Sequence, residues 1–179
     1  MLNNPIRLTS KLIPLGKLKR VLLIALLVGF GCAKPINDET LIDKDGLKYH
    51  PDTNELYSGK VFNNRMGGKK EFEGSYKDGE KDGLWTDYHE NGEKKSKGNH
   101  KDGKLDGLWT NWYANGQKSS EITYKNGKQY IIRTYKDGKR EGFWTWWYAN
   151  GQKFYEDVYK DGELIESKKW DRDGNLIED

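Results

Sequence analysis

An Asp-Gly or Asn-Gly pair recurs through most of this chain, at residues 78–79, 91–92, 102–103, 115–116, 126–127, 137–138, 150–151, 161–162 and 173–174. These pairs favour the positive backbone angles of tight hairpin turns. Their spacing of 11 to 13 residues leaves about seven residues per strand once the turns are removed, close to the usual strand length. The segments between turns are rich in Trp, Tyr, Thr and Ile, which suit a pleated surface. A chain with 21 glycines placed this way is a poor helix former. The pattern predicts an all-β fold, an elongated antiparallel meander or solenoid of repeated β-hairpins running from about residue 45 to the end.

Longer units repeat over this punctuation. One reads Tyr76-Lys-Asp-Gly-Glu-Lys-Asp-Gly-Leu-Trp-Thr-Asp-Tyr-His-Glu-Asn-Gly92, and its siblings span residues 100–116 and 135–151. Trp85 and Trp109 are 24 residues apart, while Trp109 and Trp144 are 35 apart, so one 11-residue strand-turn unit has been added between them. Each long unit predicts two turns: a wide one over residues 78–83 and a tight one at Asn91-Gly92. Residues 47–70 read as a degenerate first unit, as terminal repeats often are.

The pattern Tyr-Lys-Asp-Gly, three residues, Gly-x-Trp, two residues, an aromatic or His, two residues, then Asn-Gly resembles the MORN-variant repeat, including bacterial proteins of the YwqK antitoxin type. The resemblance covers most of residues 47–179. It implies a MORN-like single-layer twisted sheet and a non-enzymatic protein-binding role, with a toxin as one partner it suggests.

Strand alternation sorts the aromatic residues. Trp85, Trp109 and Trp144 are expected on one face with His89, Tyr113 and Tyr148. Leu84, Leu108 and Phe143 are expected on the other, with Thr86, Thr110, Thr145, Tyr88, Trp112 and Trp147. The chain is too hydrophilic for a thick two-layer core, a third of it being charged. Cross-strand aromatic ladders would hold such a sheet together. The segment Trp144-Thr-Trp-Trp-Tyr148 is the richest in rings, and Trp146 stands where the other units have Asp87 and Asn111. Candidate binding residues are Trp144, Trp146, Trp147 and Tyr148, then Trp109 and Trp85.

Enzyme chemistry finds little support. His50, His89 and His100 lack metal-ligand spacing, and His89 and His100 stand where sibling units have Tyr. The acidic turns Asp78 to Asp82 and Asp102 to Asp106 could be imagined as calcium ligands, but turn formation accounts for them better. No Gly-x-Ser-x-Gly elbow or phosphate loop occurs. The sequence implies no enzyme, no cofactor and no metal.

The first 31 residues carry five basic residues and no acidic one, and end in an apolar run, Val21-Leu-Leu-Ile-Ala-Leu-Leu-Val28, before Gly29-Phe-Gly-Cys32. That is the composition of a secretory signal peptide, expected to be helical. It is too short for a bilayer span, which takes about 20 apolar residues. Five of the 31 basic residues lie in this leader, leaving 26 against 28 acidic ones, a net of −2 for the remainder. Nucleic-acid binding gains nothing from that balance. Cys32 is the only cysteine, and the segment resembles a bacterial lipoprotein signal, which implies lipidation at Cys32. The expected organisation is a signal peptide (1–31), a lipidated cysteine with a polar tether (32–44) and the repeat domain (45–179). The chain would then be lipid-anchored in the cell envelope, facing an extracytoplasmic space. Cleavage by the general signal peptidase would leave it secreted or periplasmic instead. A structural envelope scaffold and glycan binding along the Trp rows are the alternative functions.

Overall fold

The computed structural model describes residues 34–177. The expected signal helix and Cys32 lie outside the described residues. Within them the chain forms β1 (Ile36–Asn37), a 3-10 turn (Asp38–Thr40), β2 (Ile42–Lys44), β3 (Leu47–Tyr49), β4 (Gly59–Asn64), β5 (Lys70–Lys77), β6 (Glu80–Lys81) and β7 (Gly83–Tyr88). There follow β8 (Lys94–Lys101), β9 (Lys104–Trp112), β10 (Lys118–Lys125), β11 (Lys128–Lys136), β12 (Lys139–Arg140), β13 (Gly142–Trp147), β14 (Lys153–Lys160), β15 (Glu163–Trp170) and β16 (Leu176–Ile177). The fold is the all-β series of consecutive hairpins that the turn spacing predicts. From β4 onward the strands follow sequence order in one fourteen-stranded sheet, β5 being followed by β7 and β11 by β13, while the short β6 and β12 pair only with β5 and β11.

The two turn types fall the opposite way round from the sequence reading. At residues 78–83 the chain turns tightly, because both Asp78 and Gly79 adopt positive φ, 50° and 81°. Lys77 then pairs directly with Glu80, and the width comes afterwards from an irregularity at Asp82 and Gly83. The same two-residue turn recurs at residues 45–46, 102–103, 126–127, 137–138 and 161–162, each with positive φ at both positions. At Asn91-Gly92 only the glycine has positive φ. There the His89 carbonyl accepts from the Gly92 amide at 2.9 Å, and the His89 amide donates to Glu93 at 2.8 Å. This is a three-residue loop, and it recurs at 114–116, 149–151 and 172–174. The dipeptide is nearly the same, but the number of residues between paired strands selects the turn.

The start of the array also differs from expectation. Residues 36–44, read from composition as part of a polar tether, are folded. β1 pairs in parallel with β4, and β2 and β3 form a separate two-stranded sheet. Leu41 is buried and packs in one cluster with Val61, Tyr76, Trp85 and Trp109, against which Ile36 and Tyr57 also lie. Two apolar side chains, Ile36 and Leu41, thus give this polar stretch enough to seal the end of the sheet.

The aromatic faces need the largest correction. Residues paired directly across strands share a face. Trp85 pairs with Gly98, Trp109 with Ile122, Ile122 with Ile132, and Ile132 with Thr145. Trp144, next to Thr145, therefore points to the side opposite Trp85 and Trp109. The reason is the added unit. β7 and β9 have one strand between them, whereas β9 and β13 have two, β10 and β11. β13 consequently runs in the opposite direction to β7 and β9. A repeat that keeps its internal pairing and its direction of growth, but runs antiparallel, has been rotated by half a turn about the line of growth. That rotation exchanges its faces.

Candidate functional site

Two aromatic ladders result, one on each side of the sheet. The first runs Tyr76, Trp85, His100, Trp109, with ring centroids 5.3, 5.7 and 5.0 Å apart and edge-on geometry throughout. Trp85 and Trp109 lie over Gly74 and Gly98, whose missing side chains let each indole rest on the neighbouring backbone. Both rings are buried, Trp85 to 2% exposure. Burial, and then the nearby Lys81 ammonium, pushes the His100 imidazole down to about 4, and its Nδ1 is buried without a hydrogen-bond partner. It is a neutral ring standing in for the Tyr of sibling units.

The second ladder runs Tyr135, Trp144, Tyr159, with centroids 5.4 and 5.3 Å apart. In every long unit the tryptophan is fastened the same way. Trp85, Trp109 and Trp144 donate Nε1–H to the carbonyls of Ser75, Asn99 and Thr134, at 3.1, 2.9 and 2.9 Å. Each acceptor precedes its indole by ten residues. These three residues are therefore structural anchors within the sheet, and their rings are largely withdrawn from solvent.

What surrounds Trp144 is different. Where Trp85 and Trp109 meet glycine, Trp144 meets Arg133, whose guanidinium sits 5.6 Å from the ring centroid. Arg140 lies 4.6 Å from the same ring and donates to the Tyr159 hydroxyl at 2.9 Å. That hydroxyl in turn donates to Asp157 at 3.1 Å, and Ser167 donates to the other Asp157 oxygen at 2.8 Å. Beside this row lies a second, in which Ile131 pairs with Trp146, Trp146 with Tyr155, and Tyr155 with Lys169. Trp146 is 5.5 Å from Tyr155 and 6.4 Å from Trp144, and both Trp146 and Tyr155 are half-buried.

The sequence-predicted site residues thus separate. Trp144 and Trp146 share a face and touch. Trp147 alternates to the reverse side, and Tyr148 closes the strand end, its hydroxyl donating to the Trp170 carbonyl at 3.0 Å. Trp85 and Trp109 belong to the other ladder. Arg133, Tyr155 and Lys169 join Trp146 only through strand register, which residue spacing alone does not reveal.

A further motif repeats beneath the rims. Lys70 pairs with Glu73 at 2.5 Å while the Tyr88 hydroxyl donates to the same carboxylate at 2.6 Å. Lys118, Glu121 and Tyr135 repeat this at 2.5 and 2.9 Å. The Lys70 and Tyr88 bonds lower the Glu73 carboxyl below its ordinary value. Burial alone would raise the Glu121 carboxyl, but the bonds from Lys118 and Tyr135 outweigh it and leave it lowered. Burial, reinforced by Glu121, pushes the Tyr135 hydroxyl up to about 12. Among the described residues no group of three or more His, Cys, Asp or Glu is arranged to hold a metal.

The repeat closes on itself in the backbone. The amides of Gly103, Gly127 and Gly162 donate to the carbonyls of Lys81, Leu105 and Arg140, at 3.0, 2.9 and 3.0 Å. Gly79 donates likewise to Tyr57 at 2.9 Å, so residues 57–78 form a unit of the same kind. No curated protein matches the chain. Residues 81–102, 105–126 and 140–161 each match the family described as MORN repeat variant, and each begins at one of those accepting carbonyls. The chain is a repeat protein that carries MORN repeat variants.

Proposed function

We propose that this chain is a non-enzymatic, extracytoplasmic binding module that holds another protein through the side of its sheet carrying Trp146 and Tyr155. The observation behind this reading is the contrast between the two ladders. The first is sealed at its end by Leu41 and the β2–β3 hairpin. The second leaves two adjacent aromatic residues half open to solvent, flanked by cations. Aromatic and arginine side chains gathered in one patch are what interfaces use as anchors. An immunity or antitoxin-like role, with a toxin as the partner, is the specific form suggested by the MORN-variant resemblance.

Lipidation of Cys32 would hold this surface at a membrane, and residues 36–44 would set the repeats close to the anchor, because the cap occupies most of the tether. Replacing Cys32 with Ser should move the protein from the membrane fraction to the soluble fraction. Unchanged fractionation would sink the anchor.

The binding reading is tested with the full chain as bait in envelope extract, beside Trp146→Ala and Tyr155→Ala. A protein retained by the wild type and lost from both variants, whose unfolding midpoints stay near wild type, supports it. Equal retention by all three chains overturns it. Any shorter bait has to begin before Ile36, since starting at residue 45 would remove Leu41 from the core.

A further inference from the structure

We infer that the patch around Trp146 takes an acidic peptide segment of the partner, with Arg133 as its carboxylate anchor. This rests on the binding reading above and names the chemistry of what binds. Three cations border the aromatic pair: Arg133 and Arg140 on the Trp144 side, and Lys169 beyond Tyr155. The carboxylates that share this face are already engaged. Both oxygens of Asp157 accept hydroxyl hydrogen bonds, from Tyr159 and Ser167. Glu121, which pairs with Arg133 across β10 and β11, gives one oxygen to Lys118 and the other to Tyr135.

Arg133 is left half-buried over the Trp144 ring; its charge is felt by Glu121, but it forms no direct ion pair among the described residues. A guanidinium stacked on an indole keeps its planar fork of N–H donors directed outward, and that fork matches a carboxylate in bidentate geometry. Arg140 is committed to the Tyr159 hydroxyl and lies over both the Trp144 and Tyr159 rings. Lys169 is exposed and likewise free of an ion pair among the described residues.

Geometry limits the ligand further. Arg133 lies on β11 and Lys169 on β15, three strand spacings across and two residues along the strand direction, or about 16 Å at 4.7–4.9 Å per strand and 3.3 Å per residue. Between them run Trp146 and Tyr155. A segment that crosses the strands would place one carboxylate on Arg133, lay an apolar or aromatic side chain against Trp146 and Tyr155, and set a second carboxylate at Lys169. In an extended chain at about 3.3 Å per residue, that separation spans roughly four to five residues, and the long Arg and Lys side chains reach carboxylates four positions apart. The repeats before the added strand lack this arrangement, since Gly74 and Gly98 occupy the positions equivalent to Arg133.

The test is titration of the full chain with the peptide Glu-Ala-Phe-Ala-Glu and with its lysine counterpart, Lys-Ala-Phe-Ala-Lys, followed by tryptophan fluorescence and calorimetry. The acidic peptide should bind saturably and weaken as salt rises. Arg133→Gln should reduce its affinity at least fivefold, and Lys169→Gln should reduce it by a smaller factor. Arg133→Lys should recover only part of the loss, since a point charge does not reproduce the fork. Binding of both peptides alike, binding of neither, or an unchanged affinity in Arg133→Gln overturns the inference. The protein-binding reading fails separately. If the captured partner is still retained by Arg133→Gln but lost with Trp146→Ala, the acidic segment is wrong and the docking surface stands.

Discussion

Gly98 lies so close beneath the indole of Trp109 that a methyl group on its α-carbon would be driven into the ring. Trp85 bears the same relation to Gly74. Since no second layer covers these strands among the described residues, ring-on-backbone contacts of this kind supply much of the sheet's cohesion. Gly98→Ala should therefore destabilise the fold by about 1–3 kcal/mol, the usual cost of overpacking. Asn99→Ala, at the exposed neighbouring position, should stay within about 0.5 kcal/mol. Urea denaturation of the two variants measures the contrast, and equal midpoints would remove the packing role assigned to the glycine.

His100 makes stability depend on pH. An unfolded histidine takes up a proton near its ordinary value of about 6.5, whereas in the folded sheet burial delays this to about 4. Between those values the unfolded state binds more protons, so stability should fall as pH drops from about 6.5 to about 4 and then level off. His100→Tyr restores the residue found at this position in sibling units and removes the titration. The denaturation midpoint should decline less between pH 7 and pH 4.5 in that variant than in the wild type. Parallel declines would mean that the imidazole is not the group responsible.

Trp144→Phe separates the ring from its hydrogen bond. The Thr134 carbonyl would keep the Glu141 amide as a donor at 3.1 Å, so no buried acceptor is orphaned. The loss should be about 1 kcal/mol for the bond, with a further contribution from the weakened stacking of Arg133 and Arg140. The same replacement at Trp147, on the reverse side of β13, should cost less. Thermal unfolding of both variants decides between them.

The added strand can be removed. Deleting residues 126–136 joins Lys125 to Asp137, recreates Tyr-Lys-Asp-Gly, and restores a spacing of 24 residues between Trp109 and Trp144. The shortened chain should fold with Trp85, Trp109 and Trp144 in one row on one side. A crystal structure of that variant is the check, and Trp144 still opposite Trp109 would refute the rotation argument.

The strands and the places where they turn were legible in the sequence, because Gly-terminated pairs need positive φ and aromatic residues need a pleated surface. The turn types were not, since Asp78-Gly79 and Asn91-Gly92 look alike until the pairing of Lys77 with Glu80 and of Tyr88 with Lys94 is known. The cap escaped notice because Leu41 does its work at long range, against Val61 and Tyr76, within a stretch whose average composition is polar. The reversal of Trp144 was present in the 24 and 35-residue spacings, but it emerges only when strands are counted as directions instead of residues as intervals. Arg133 and Lys169 follow from that count as well, for they become neighbours of the aromatic pair only through β11 and β15.

The half-turn introduced by one extra strand gives the array a handedness of use. An array that grows by paired strands presents its rings in a single direction, however long it becomes. One unpaired strand makes it address both directions, and another would undo the effect. Sidedness in such an array is thus set by odd or even strand number, so an insertion of 11 residues can redirect a recognition surface without altering any residue that composes it.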